Sequence, residues 1–124
     1  MTIQEVTDQD YFHYILDKAS KTSQLVVVDV VVSGSPQCKM MTPMLEKFSK
    51  TYTNAIFLKV DIETCPDFKE FSKVATTQVA TDALPTFFLY QNKTKVDEVL
   101  GAHHLELEKL IMKHGGSLEE EAEE

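Results

Sequence analysis

The sequence predicts an α/β chain with a central mixed β-sheet flanked by helices on both faces, and three features predict it. Leu25 to Val32 is an almost wholly apolar, β-branched run interrupted only by Asp29, the pattern of a strand covered on both sides. Runs with strand character alternate with runs of helical periodicity through the first half of the chain, which favours parallel strands joined by crossover helices. Late in the chain, Thr86 to Tyr90 and Lys95 to Leu100 flank Gln91-Asn92-Lys93-Thr94 and read as an antiparallel hairpin.

Taken in order, a short first strand is expected at Thr2 to Val6. A helix follows from Thr7 or Asp8, with Asp8 as its N-cap, because Phe12, Ile15, Leu16 and Ala19 recur at helical spacing. Ser20-Lys21-Thr22-Ser23-Gln24 breaks it before the apolar strand. Gly34 and Pro36 end that strand and a second helix starts. Ser35 suits the N-cap and Pro36 the first helical position, where a missing N–H is harmless. Met40, Met41, Met44, Leu45 and Phe48 are the expected buried stripe, and Pro43 should kink the helix.

Ala55 to Asp61 reads as the next strand. Thr64-Cys65-Pro66-Asp67 has the form of a capping box with an acid in last place, opening a helix that carries Phe68, Phe71 and Val74. Thr76 to Ala83 is expected as a loop or loosely wound helix end. After the hairpin, Leu105 to His114 fits an amphipathic helix with Leu107, Leu110 and Ile111 inward, stopped by Gly115 and Gly116. The order β-α-β-α-β-α-β-β-α contains no internal repeat. It predicts one domain over residues 1–114 and an acidic tail over 115–124.

A length of 124 residues suffices for a core without disulfide or metal staples. The formal charge is −8, and five of the negative charges are Glu119, Glu120, Glu121, Glu123 and Glu124, which leaves −3 for the rest. A body this mildly acidic offers no basic footprint for phosphates, so nucleic acid is not an expected partner. No apolar run approaches the roughly 20 residues that cross a bilayer, so no membrane association is expected. Met1 to Glu5 lacks a basic stretch leading into an apolar one, and two cysteines agree with a reducing compartment. A cytoplasmic or nuclear address is the expectation.

Several local matches, in the right order, resemble the thioredoxin family over residues 1–114. Val26-Val27-Val28-Asp29 looks like the family's central strand with its buried acid. Cys38-Lys39-Met40 followed by Pro43 looks like the second half of its redox motif and the kinked helix behind it. Phe57-Leu58-Lys59-Val60-Asp61 is similar to the third strand, including the lysine that approaches the acid. Leu84-Pro85-Thr86-Phe87 resembles the cis-proline segment, and Val96 to Ala102, with Gly101, the last strand and its glycine. The resemblance implies a thioredoxin fold. It also implies a substrate groove near Gly34, Pro36, Gln37, Leu84, Pro85, Thr86 and Gly101, in which an extended segment of a protein partner lies beside the cis-proline backbone.

The departures bear on chemistry. Active members carry Trp-Cys-Gly-Pro-Cys, where this chain reads Gly34-Ser35-Pro36-Gln37-Cys38 and contains no tryptophan. Lys93 stands where a hairpin glycine is usual, and a few residues are inserted between Cys65 and Pro85. The Pro-Gln-Cys wording is also similar to the thioredoxin-like domain of monothiol glutaredoxins, although no glutaredoxin domain follows in this sequence.

Disulfide reduction needs an attacking thiolate and a second thiol that resolves the mixed disulfide. Ser35 holds the place of the lost nucleophile, and its hydroxyl does not ionise near neutral pH. Cys38 is either a small buried apolar residue or, if exposed, a monothiol that forms mixed disulfides. Asp29 assists proton transfer in active relatives; here a structural role with Lys59 as partner is the simpler expectation. Cys65, at a predicted helix start, is expected to be the more accessible thiol. His13, His103, His104 and His114 are scattered and make no metal-ligand spacing, and Met40, Met41 and Met44 are expected in the core. No cofactor or metal is expected. Two functions follow: a partner-binding module with impaired or absent dithiol reductase activity, or a monothiol oxidoreductase acting through Cys38 in cell redox homeostasis. The oligomeric state stays open.

Overall fold

Because side chains alternate along a strand, a fully buried strand must feed two separate cores, and the sheet of this molecule does so. The computed structural model describes residues 3–32, 34–65, 68, 71 and 84–115. Five strands are described: β1 (Ile3–Glu5), β2 (Val26–Val31), β3 (Ile56–Asp61), β4 (Thr86–Gln91) and β5 (Thr94–Leu100). They form one sheet in the order β1-β3-β2-β4-β5. The pairs β1/β3 and β2/β3 are parallel; β2/β4 and β4/β5 are antiparallel. Three helices are described with them: α1 (Gln9–Ser20), α2 (Pro36–Thr51) and α3 (His104–Lys113).

β2 is buried along its whole length. Val26, Val28 and Val30 join Leu58, Val60, Phe88 and Tyr90 beneath α1. There Phe12 meets Phe68, Phe71 and Tyr90 edge-on at 5.4 to 5.5 Å between ring centroids. Val27 joins Phe57, Phe87 and Leu89 on the opposite face, under Met41, Leu45 and Phe48 of α2 and Leu107 and Ile111 of α3. Asp29 shares the parity of Val27 and so faces α2.

Local signals act as expected at most helix ends. The Asp8 side chain caps α1 by accepting from the Asp10 N–H at 3.0 Å. Pro43 lies inside α2. The buried stripe of α2 is Cys38, Met41, Leu45 and Phe48 with Ser49, so the expected burial of Met40 is corrected: it is 67% exposed. Successive helical residues are 100° apart, and the phase set by Met41 and Leu45 turns Met40 outward. The Thr64 hydroxyl donates to the Asp61 carbonyl at 3.1 Å. Most of the helix predicted after it, the Thr76–Ala83 loop and the acidic tail lie outside the described residues. None of the described helices is long and apolar enough to cross a membrane.

The hairpin turn carries a local cost. Asn92 and Lys93 both have positive φ, 55° and 69°, the pairing demanded by a tight two-residue hairpin and tolerated best by Asn-Gly. Lys93 recovers part of that cost through an ion pair to Asp17 at 2.9 Å, both side chains being more than half exposed. Such exposed pairs contribute about 0 to 1 kcal/mol, less than the roughly 1 to 2 kcal/mol that a left-handed backbone costs a residue with a Cβ. Lys93→Gly is therefore expected to stabilise the protein by about 0.5 to 1 kcal/mol, read as a higher urea midpoint with unchanged slope.

Candidate functional site

The N-terminal end of α2 collects most of the residues singled out from the sequence. Ser35 is its N-cap with extended φ and ψ of −69° and 123°, and Pro36 opens the first turn. The Ser35 Oγ accepts the Cys38 N–H at 3.4 Å and donates to Gln37 Oε1 at 3.3 Å. Gly34 sits in front at φ +87°, a left-handed conformation that glycine adopts without strain. Gly34 and Pro36 are exposed, and Ser35 and Gln37 are half-buried.

Cys38 is 7% exposed and packs with Val31 and Leu84, with Val32 alongside. Its carbonyl accepts the Thr42 hydroxyl at 3.3 Å. Both cysteines are free and buried. The expected accessibility of Cys65 is thus corrected: Cys65 belongs to the core beneath α1, and its thiol points to the Thr7 carbonyl at 3.7 Å. The two sulfurs lie on opposite faces of the sheet, which rules out a bridge between them, since a disulfide needs Cα atoms within about 7 Å.

The Leu84–Pro85 peptide is cis. Leu84 is only 5% exposed and touches Cys38, and Pro85 and Thr86 are buried as well. Leu84, Pro85 and Thr86 form a buried wall behind the α2 terminus. Thr86 pairs with Val30 and Leu100 within the sheet. Gly101, at φ +94°, donates its N–H to the Pro85 carbonyl at 2.9 Å and holds the segment in place.

Asp29 lies in register with Lys59 on β3 and Phe87 on β4. It is 6% exposed, and its Oδ1 has no hydrogen-bond partner. Burial pushes its carboxyl up to about 7, while the positive charge of Lys59 pulls the other way. Two hollows run along this side of α2. One of about 440 Å³ is lined by Gly34, Ser35 and Cys38 together with Lys39, Lys59 and Asp61. The other, of about 160 Å³, is lined by Asp29, Glu46 and Leu45. Glu5, Thr42 and Lys59 belong to both walls.

Of the residues singled out from the sequence, the structure brings Gly34, Ser35, Cys38 and Lys59 to the wall of one cavity and Asp29 to the neighbouring one. Sequence reasoning missed Glu5, Glu46 and Asp61, for which only strand register and helix phase carry a signal. It also missed an outward apolar stripe of Pro36, Met40 and Pro43, all exposed, at i, i+4 and i+7 on α2. Among the described residues, no group of three or more His, Cys, Asp or Glu side chains could hold a metal ion.

Comparisons with known proteins agree with the fold. The family model described as Thioredoxin matches residues 2–113. Thioredoxin-1 of Schizosaccharomyces pombe is 35% identical over 88% of this chain and 95% of its own length. Thioredoxin 1 of Plasmodium falciparum is 37% identical over 88% of this chain and 94% of its own. The crystal structure of thioredoxin NaTrxh from Nicotiana alata superposes with a TM-score of 0.78 at 28% identity, covering 91% of this chain and 92% of that one. Fold and sequence similarity agree, and the chain belongs to the thioredoxin family.

Proposed function

We propose that this protein is a thioredoxin-family member that does not turn over disulfides by dithiol exchange, and that it binds an extended segment of a protein partner at the N-terminal end of α2. The observation that supports this reading most is the thiol arrangement: Ser35 holds the N-cap, and Cys38 and Cys65 sit in different cores. One buried thiol with no second thiol within reach has no route to resolve a mixed disulfide. The contact surface is the exposed set Gly34, Pro36, Met40 and Pro43, backed by the buried Leu84-Pro85 wall. Two thiols that cannot pair suit a reducing cytoplasm or nucleus.

An insulin-reduction assay with dithiothreitol tests the first half. The protein is expected to add nothing measurable to the dithiothreitol background and to match its own Cys38→Ser variant. Turnover well above that variant would sink the reading in favour of a monothiol oxidoreductase. One observation favours that second function: Cys38 lines the larger hollow, where a small thiol such as glutathione can approach. Mass spectrometry after exposure to oxidised glutathione separates the two, because adduct on Cys38 of the folded protein belongs only to the monothiol reading.

A further inference from the structure

The sulfur atoms of this chain divide sharply by exposure. Cys38, Cys65 and Met41 are buried, and Met44 packs half-buried against the core that α2 covers. Among the described residues, the exposed sulfur-bearing side chains are Met40 at 67% and Met112 at 50%. Met41, the next residue along from Met40, is only 3% exposed. A thioether, unlike a thiol, has no proton to lose before it reacts, so access alone separates these methionines.

The place of Met40 gives its oxidation a consequence. It stands between Pro36 and Pro43 at i, i+4 and i+7, the exposed apolar stripe of the partner surface proposed above. Lys39, Thr42, Glu46 and Lys47 around it are exposed and polar, so the apolar character of this face is concentrated in those three side chains. Sulfoxidation turns the flexible apolar side chain of Met40 into a polar one. Met40 belongs to neither core, so the fold has no packing to lose by that change.

We propose that Met40 is a site of oxidative modification, at which a peroxide converts the thioether to the sulfoxide and makes the partner surface polar while the fold stays intact. The Met40 sulfur attacks one oxygen of hydrogen peroxide; an S–O bond forms and the O–O bond breaks. The other oxygen leaves as water with both protons, and the sulfur is oxidised by two electrons as the peroxide is reduced. The effect on a partner rests on the partner-binding reading; the oxidation and the change in polarity do not.

In the test, the full chain is treated with hydrogen peroxide at about pH 5, where thiolates are scarce, and oxygen uptake is followed residue by residue by peptide mapping. Met40 should gain oxygen at least about tenfold faster than Met41, in line with access to the sulfur. Retention of the folded protein on a phenyl matrix, an apolar probe, should fall with that oxidation, and the urea midpoint should not move. Met112→Leu removes the other exposed methionine among the described residues and should keep the fall; adding Met40→Leu should abolish it. Equal rates at Met40 and Met41, retention unmoved by oxidation, a fall that survives in the double variant, or a lowered urea midpoint would each overturn the proposal. None of these readouts depends on disulfide turnover or on a partner, so turnover in the insulin assay would count against the proposed function and leave this site standing.

Discussion

Ser35→Cys is expected to confer dithiol–disulfide reductase activity on this protein. The geometry at Ser35 is already that of an activated thiol: an N-cap with extended backbone, its side-chain oxygen at 3.4 Å from the Cys38 N–H, at the positive end of a 16-residue helix. A cysteine there would have its thiolate stabilised by the same N–H and by the helix dipole. Lowering a thiol pKa from about 8.5 to about 7 raises the thiolate fraction at neutral pH by roughly tenfold. Cys38, three residues on and at the same terminus, would then serve as the resolving thiol. Insulin reduction by Ser35→Cys should exceed the wild-type background by at least about tenfold, and Ser35→Cys/Cys38→Ser should lose that gain. A natively folded Ser35→Cys variant with no turnover would show that the buried Leu84-Pro85 wall no longer admits a disulfide substrate, and that more than the nucleophile has been lost.

The second large effect concerns stability and pH. Burial holds the Asp29 carboxyl at about 7 in the native state, with Lys59 opposing the rise, against about 4 in the unfolded chain. Between those values the native protein keeps a proton that the unfolded chain has released. The stability due to Asp29 is thus fully present below about pH 4, declines as pH rises, and reaches its floor once pH passes about 7. The gap corresponds to at most about 4 kcal/mol between the two limits. Asp29→Asn mimics the protonated side chain at every pH. Urea unfolding should therefore find the variant close to wild type at pH 4 and more stable by a few kcal/mol at pH 8. Parallel curves for the two proteins across that range would mean that Asp29 does not carry the effect.

What could be read without coordinates was local. Asp8 and Ser35 cap helices because a short polar side chain before an apolar-periodic run has little else to do, and Pro36 marks a first turn because only there is its missing N–H harmless. The valines of β2, interrupted only by Asp29, announced a strand covered on both faces, and the Asn92-Lys93 spacing announced the hairpin. The sequence errors share a cause. Met40 and Met41 are chemically alike, and only the phase set by Leu45 and Phe48 against the sheet sends one inward and the other to solvent. Cys65 was read as accessible from its place at a helix start, but its burial comes from Thr7 and the core beneath α1, contacts nearly sixty residues away in the chain.

The same division holds at the site. The loss of the attacking thiol, the survival of a helix start at Ser35-Pro36 and the presence of one acid within an apolar strand are properties of the order of residues. Whether Cys38 and Leu84 are shielded, which face Asp29 looks toward, and which carboxylates and lysines surround it are decided by strand register and helix phase. Those depend on pairing β2 with β3 and β4 and on seating α2 across them. A one-residue slip of β2 would turn Asp29 from the hollow under α2 into the core beneath α1.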